Sequence, residues 1–314
     1  FVDAAEVITF DTKGLLLLDE TVNKIRKRLE NVDSAVIPGF YGSTTEGIVK
    51  TFSRGGSDVT GSILANAVKA DIYENWTDVS GFLVADPRVV ENPDVINVIT
   101  YKELRELAYM GASVLHEDAI FPVRTAGIPI NIKNTNKPED AGTMIVSDDH
   151  DFEDESNAYT ITGIAGRKGF STINIEKAMM NSEMGFGMKV LRVLADNNVS
   201  FEHMPSGIDT MSITVDTNSL NPVREKVLSQ LRKEVNPDHL EIEDGIALLA
   251  VVGRRMKNTR GTVARIFASM AHARINVKMI DQGSSELNVI IGVSENDLNE
   301  AIRRIYDMFI SSEK

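Results

Sequence analysis

The run Arg54-Gly55-Gly56-Ser57-Asp58 carries residue types that could do chemistry. A glycine pair lets backbone N–H groups approach an anion, Arg54 offers a planar fork for carboxylate or phosphate, and Ser57 or Asp58 suits a helix N-cap. An ordinary strand-to-helix turn accounts for the same five residues. Trp76-Thr77-Asp78-Val79 stands at a strand end, with Asp86-Pro87-Arg88 shortly after it. Ligands of an α/β sheet bind beyond strand ends, so Thr77 and Asp78 could hold a ribose or base and Arg88 a phosphate. A turn with an Asx cap and a proline-restricted loop is the plainer reading of these residues. No G-x-x-x-x-G-K-[ST] or G-x-G-x-x-G stretch occurs, so neither a Walker nor a Rossmann site is supported. Met179, Met180, Met184 and Met188 read as core filling.

The elements that must position these residues follow from periodicity. Asp19 to Leu29 reads as a helix, with Asp19 as cap and Val22, Ile25 and Leu29 on one face. Ala35 to Ile37 reads as a buried strand and Val59 to Ala70 as a helix; Asp71 to Trp76 is a strand, Tyr101 to Met110 a helix, Ile128 to Lys133 a strand. Strands alternating with helices mean an α/β sheet with helices on its faces. Ser147 to Asn157 is an acidic linker with too little apolar surface to offset its ordering entropy.

The whole chain has 314 residues with 33 Lys+Arg against 46 Asp+Glu, a net charge of −13. That balance argues against nucleic acid or an anionic membrane as main partner. Composition and length indicate two or three folded domains. No apolar run is long enough to span a bilayer. With no Cys there are no disulfides, thiolate metal sites or Cys nucleophiles, which fits a cytoplasmic protein. The five His are scattered, which argues against a His-based zinc site. The chain opens on Phe1 rather than Met, inside what reads as an element, so the expectation is a processed or N-terminally incomplete chain.

From about Ile173 the sequence repeats itself. Gly185 to Val215 overlays Gly261 to Ile291 without a gap, each copy giving a Gly-opened helix and then two strands. Ser200 to Met204 and Met211 to Val215 match Asn276 to Ile280 and Leu287 to Ile291. Helix Pro222 to Val235 and strand His239 to Ile242 complete a βαββαβ unit in the first copy. The second ends on its helix, Asn296 to Phe309. A spare strand, Tyr159 to Ile164, would complete the second sheet, with the first copy inserted within it. Paired units of this kind favour a regulatory or binding role over an enzyme core.

Pro38-Gly39-Phe40-Tyr41-Gly42, Arg54 to Asp58, Trp76 to Val79, Asp86 to Val90 and Gly111-Ala112-Ser113-Val114-Leu115-His116 resemble, in order and spacing, motifs of aspartate kinases. The tandem repeat resembles the paired ACT domains of those enzymes, and the resemblance covers essentially the whole chain. It implies an α/β fold: an amino-acid-kinase αβα sandwich, incomplete at its N-terminus, plus two interleaved ferredoxin-like ACT domains. The boundaries would be 1–150 for the kinase part, 171–239 for the first ACT domain, and 158–170 plus 240–314 for the second. It implies phosphoryl transfer from ATP, with Mg2+, to the side-chain carboxylate of L-aspartate. Arg54 and Asp58 would be catalytic, Arg54, Ser57 and Asp58 would bind substrate, and Thr77, Asp78, Leu83, Asp86, Arg88 and Ser113 would line the ATP site.

The chain departs from the family pattern in having Ser113 where many members have Lys, Leu83 where many have Tyr, and Ala5 where many have Arg. The family's Lys-bearing N-terminal strand and the following segment with a catalytic Glu have no counterpart, so the expectation is that the 314-residue chain alone is inactive or nearly so. Phe201 to Asp209 is similar to the lysine-responsive type. Lysine would be held by Met180, Ser182, Gly185, Phe186, Gly187, Glu202 and Ser206 between two chains of a homodimer, with tetramers left open. The rival readings are a non-catalytic amino-acid sensor with a remnant kinase fold, and a glutamate or nucleotide kinase of the same fold.

Overall fold

The computed structural model describes residues 1–53, 55–112, 117–150 and 159–312. These form two compact units, residues 1–84 with 93–158, and residues 85–92 with 159–314.

The first unit begins with α1 (Ala4–Val7), β1 (Thr9–Phe10) and α2 (Leu18–Leu29). The α2 helix buries Thr21, Val22 and Ile25, and Arg26, Lys27 and Arg28 in its last turn complement the helix dipole. Leu17, not Asp19, is its N-cap residue; Asp19 lies within the first turn. β2 (Tyr41–Thr44) pairs parallel with β1 and antiparallel with β3 (Val49–Thr51). No strand forms at Ala35 to Ile37: Val36 is 71% exposed, and only Ile37 packs against the core of the unit. α3 (Gly56–Val68) leads to β4 (Tyr73–Thr77), and β5 (Val98–Thr100) to α4 (Tyr101–Tyr109) and α5 (Glu117–Ala126). β6 (Ile130–Asn134) and β7 (Thr143–Val146) complete a four-stranded sheet of order β4-β6-β7-β5. Its β4–β6 and β5–β7 pairs are parallel, and β6–β7 is antiparallel. Small residues on α3 admit α5 closely: Ser62 Oγ accepts from the Val123 N–H at 3.3 Å, and Asn66 Nδ2 donates to the Pro122 carbonyl at 2.7 Å. Ser147 to His150 of the acidic segment are described, and the rest of the linker lies outside the described residues.

The second unit is built on one six-stranded sheet of order β12-β13-β11-β8-β10-β9. β8 (Gly163–Glu176) and β11 (His239–Val252) each run for 14 residues. Phe170 to Glu176 of β8 pair with β10 (Thr210–Asp216) and with His239 to Ile246 of β11, and β10 pairs with β9 (Phe201–His203). Gly163 to Arg167 pair with Leu248 to Val252, which in turn pair with β13 (Asn288–Ser294), and β12 (Met279–Asp281) closes that edge. The register shifts between Glu243 and Leu248, where Gly245 (φ +72°) and Gly169 (φ +96°) supply the left-handed backbone a bulge needs. The spare strand therefore begins at Gly163 rather than Tyr159 and is continuous with the opening strand of the first copy.

Helices α6 (Phe186–Asp196), α7 (Thr217–Leu220) and α8 (Arg224–Val235) belong to the first copy, and α9 (Thr262–His272) and α10 (Leu298–Tyr306) to the second. α6 and α9 are related by the expected shift of 76 (262 minus 186), each opening on a left-handed Gly, Gly185 and Gly261. The ladders pair Thr210 with Glu176 and Asn288 with Val252, which puts β10 and β13 at a shift of 78 (288 minus 210), and Thr214 with His203 and Gly292 with Met279, which keeps β9 and β12 at 76 (279 minus 203), so two residues are added between these strands in the second copy and the gapless overlay fails from β10 onward. Ile173, Ile175, Ile213 and Val215 pack with Val190, Leu194, Val227 and Leu231 into the first copy's core. Met180 joins that core, but Met179 (70% exposed), Met184 (96%) and Met188 (58%) do not, so the methionine run is mainly a surface patch.

Candidate functional site

In the first unit, the turn into α3 is set by close packing. Gly55 is left-handed (φ +59°), and a Cβ on Gly56 would stand 2.8 Å from the Phe40 ring and 2.9 Å from Phe52 Cβ, so only glycine fits there. Ser57 is exposed and Asp58 half-buried in the first turn, where the helix dipole favours a carboxylate. Arg54 lies outside the described residues, as does Ser113.

Asp58 is held from the neighbouring sheet. Asn75 Nδ2, buried on β4, donates to Asp58 Oδ1 at 3.0 Å and to Tyr73 Oη at 3.0 Å. The Tyr73 hydroxyl lies 3.4 Å from the Asp58 carbonyl, to which it donates. Burial pushes the Tyr73 phenol above its ordinary pKa; the Asn75 hydrogen bond works against that shift and the nearby Asp58 charge adds to it. Gly61 makes room, since a Cβ there would meet Tyr73 Oη at 2.6 Å. Neither Asn75 nor Tyr73 stands out in the sequence, because nothing in a mid-strand Asn signals that it reaches a helix start.

At the carboxyl end of β4, the Thr77 carbonyl accepts two bonds from Thr135, from N at 2.8 Å and Oγ1 at 2.9 Å. Thr77 Oγ1 donates to Asp78 Oδ1 at 3.3 Å, and Asp78 is exposed. Lys133 on β6 puts Nζ 5.6 Å from the Trp76 ring centroid and also reaches the Asp140 carbonyl. A cation therefore stands at the strand end beside Thr77, a placement that depends on strand register and not on residue type. Leu83 is half-buried and bridges to Val95.

Asp86 and Arg88 fall in the second unit, in the segment 85–92. Arg88 folds back on Asp86, with Nε 3.0 Å from Oδ1 and a terminal guanidinium nitrogen 2.6 Å from Oδ2. The guanidinium holds the Asp86 carboxyl below the usual carboxylate range. Arg303 of α10 donates from Nε to the Val89 carbonyl at 2.9 Å, securing the same segment.

Around the start of α6, Met180 and Phe186 are buried, Ser182 is exposed, and Gly185 is the left-handed N-cap followed by Gly187. Lys177 Nζ lies 5.7 Å from the Phe186 ring centroid. Lys177 and Lys189 (2.6 Å) both grip Glu183, and Lys177 contributes most to holding its carboxyl below the usual range. Glu202 on β9 is paired with Arg167 at 3.3 Å, so an incoming ammonium group would compete with a guanidinium of the same chain. Ser206 is separate from the helix start in sequence and lines a cavity on the other side of the strand pair.

Residues 7–134 match the amino acid kinase family and residues 249–309 the ACT domain. Aspartokinase 3 of Bacillus subtilis is 40% identical over 310 residues, covering 98% of this chain and 67% of that protein. The crystal structure of Clostridium acetobutylicum aspartate kinase superimposes with a TM-score of 0.91 at 55% identity, covering 98% of this chain and 70% of that one. Escherichia coli aspartokinase III superimposes with a TM-score of 0.72 over 98% of this chain and 69% of that one, both in complex with lysine and aspartate (25% identity) and with aspartate and ADP (24%). Among the described residues, no helix is long and apolar enough to cross a membrane. With likenesses that run through both units, the chain belongs to the aspartokinase family, an amino-acid-kinase region followed by ACT-type βαββαβ units.

Proposed function

We propose that the chain carries out the family reaction, transfer of the terminal phosphoryl group of ATP to the side-chain carboxylate of L-aspartate, under allosteric control by lysine bound to its ACT units. The observation that carries the reading is the α3 start, where Asp58 is fixed at a positive helix end by Asn75. A carboxylate nucleophile is ionised at neutral pH and needs no general base. The protein's work is then to position substrate and offset charge on the transferred group.

In this reading Arg54 holds the α-carboxylate of aspartate, and Ser57 and Asp58 orient it. Thr77, Asp78, Leu83, Asp86, Arg88 and Ser113 serve ATP, with Arg88 leaving Asp86 to meet phosphate. Mg2+ would arrive with the nucleotide, held largely by the phosphates. The divisions 1–150, 171–239, and 158–170 with 240–314 are the proposed domains. The exposed Met179, Met184, Met188 and Ile208 support a homodimer through the first ACT unit.

The decisive assay is ATP- and aspartate-dependent formation of acyl phosphate by the full-length protein, trapped with hydroxylamine, with and without lysine. Product that forms and is suppressed by lysine supports the reading. Lysine binding with no ATP binding would replace it by the sensor reading, and turnover with glutamate in place of aspartate by the other kinase.

A further inference from the structure

Segment 85–92 packs with the second unit, although it lies within the residues that match the amino acid kinase family. Its backbone forms a tight turn. Pro87 fixes one φ, and the Val89 and Val90 N–H groups both donate to the Asp86 carbonyl, at 2.9 and 3.0 Å. The Arg88 N–H donates to Asp86 Oδ1 at 2.8 Å. Ala85 and Val90 are buried and pin the two ends of the segment. The Arg88 side chain is 87% exposed, and its ion pair with Asp86 lies inside the same turn. Where its guanidinium can reach is therefore set by the backbone beneath it.

That backbone is held from α10. The helix buries Leu298, Ala301, Ile302, Ile305 and Tyr306. It lies close on β8 at Gly166, where a Cβ would stand 2.7 Å from Leu298 Cδ1. On its outer face Glu300 braces two arginines, Arg303 Nη1 at 3.3 Å and Arg304 Nε at 2.7 Å. The brace orients the planar Arg303 fork, which leaves Nε to donate to the Val89 carbonyl at 2.9 Å. Arg303 is half-exposed, so this bond adds little to global stability and acts on the turn it holds.

We propose that Arg303 is a positioning residue for the nucleotide: by holding the Val89 carbonyl, α10 fixes the turn that presents Asp86 and Arg88 to ATP. This rests on the reading of Asp86 and Arg88 as ATP-binding residues. ATP affinity then depends on a residue within the stretch that matches the ACT domain, acting through a backbone carbonyl rather than on the nucleotide itself.

The test is titration calorimetry of the full-length protein with MgATP, beside steady-state KM values for ATP and aspartate. Hydrogen exchange of the Val89 and Val90 amides in the nucleotide-free protein reads the turn directly. Arg303→Ala should weaken ATP binding about three- to tenfold, the weight of one hydrogen bond, and raise the KM for ATP in step. The KM for aspartate and the melting temperature should stay unchanged, and the two amides should exchange at least about threefold faster. Arg303→Lys, whose ammonium can still donate to a carbonyl, should restore part of the affinity. Arg304→Ala keeps the Val89 bond and should alter none of these quantities. Unchanged ATP affinity in Arg303→Ala overturns the proposal. So does a rise of both KM values together with a lowered melting temperature, the signature of a merely structural role. Arg88→Ala and Asp86→Asn separate this inference from the reading beneath it. Affinity lost in those two variants but kept in Arg303→Ala overturns the positioning role and sustains the ATP assignment. Affinity kept in both, or no ATP binding by the parent protein, overturns the assignment and this proposal with it.

Discussion

Asn75 is the residue on which the candidate active site turns. Its single amide satisfies both the Asp58 carboxylate and the Tyr73 phenol, and it is buried. Asn75→Leu removes that donor while keeping the volume, and is expected to lower kcat/KM for aspartate by about tenfold to a hundredfold, the cost of one lost hydrogen bond to a charged group. Steady-state kinetics on a variant with unaltered circular dichroism checks this; unchanged kinetics would show that Asp58 needs no such support. Acid sensitivity in the ACT region has its own residues. Glu183 is held below its ordinary pKa chiefly by Lys177, and Asp244 chiefly by Arg224, with Ser171 assisting. A carboxylate with a depressed folded-state pKa stabilises above its unfolded value near 4 and loses that contribution as pH falls through the folded value. Thermal stability should therefore decline on acidification below about pH 4, and Glu183→Gln with Asp244→Asn should flatten that decline. At this scale the Gly55-Gly56-Ser57-Asp58 turn was legible, because glycine pairs before a helix have few uses. Asn75 and Lys133 were not, since which strand residue reaches a neighbouring helix depends on register and not on residue type.

Element by element, sequence periodicity served the helices better than the short strands. The helices α2, α3, α4, α6 and α9 stand within a few residues of their expected positions because each presents a continuous apolar face. The apolar run Ala35 to Ile37 forms no strand, since three such residues fit an extended segment that buries only Ile37 as well as they fit a strand. One available signal went unused: Thr100 and Glu103 have the spacing of a capping box, and both its bonds form, Glu103 N to Thr100 Oγ1 at 3.2 Å and Thr100 N to Glu103 Oε2 at 2.9 Å. Thr100→Ala is expected to destabilise the first unit by about 1 kcal/mol, and by more if Glu103, which is fully buried, is left short of a partner. Denaturant unfolding of that variant against the parent measures it, and a change within error would mean that the cap is replaced by water.

For the molecule as a whole, the internal repeat was the most informative sequence feature. It revealed the paired units and their interleaving, but not the two residues added between β12 and β13, which leave His203 equivalent to Met279 (279 minus 203 is 76) while Thr214 corresponds to Gly292 (292 minus 214 is 78). A gapless overlay is guided by helices, whose Gly caps and apolar faces match strongly, and β10 and β13 alternate with a period of two, so a slip of two residues leaves their pattern unchanged. The misread methionines belong here as well. The exposed apolar patch of Met179, Met184, Met188 and Ile208 is what supports the proposed homodimer. Met184→Glu places a charge in that patch and is expected to shift the protein from dimer to monomer in light scattering, with the far-ultraviolet spectrum unchanged. An unchanged mass would place any assembly elsewhere.

The two 14-residue strands also bear on ancestry. Because β8 and β11 each serve both copies, a cut before or after either copy leaves a sheet without one of its members. Gene shuffling could therefore exchange this regulatory region only as a pair, and a lineage that lost one copy would have to rebuild the strand it shared with the other.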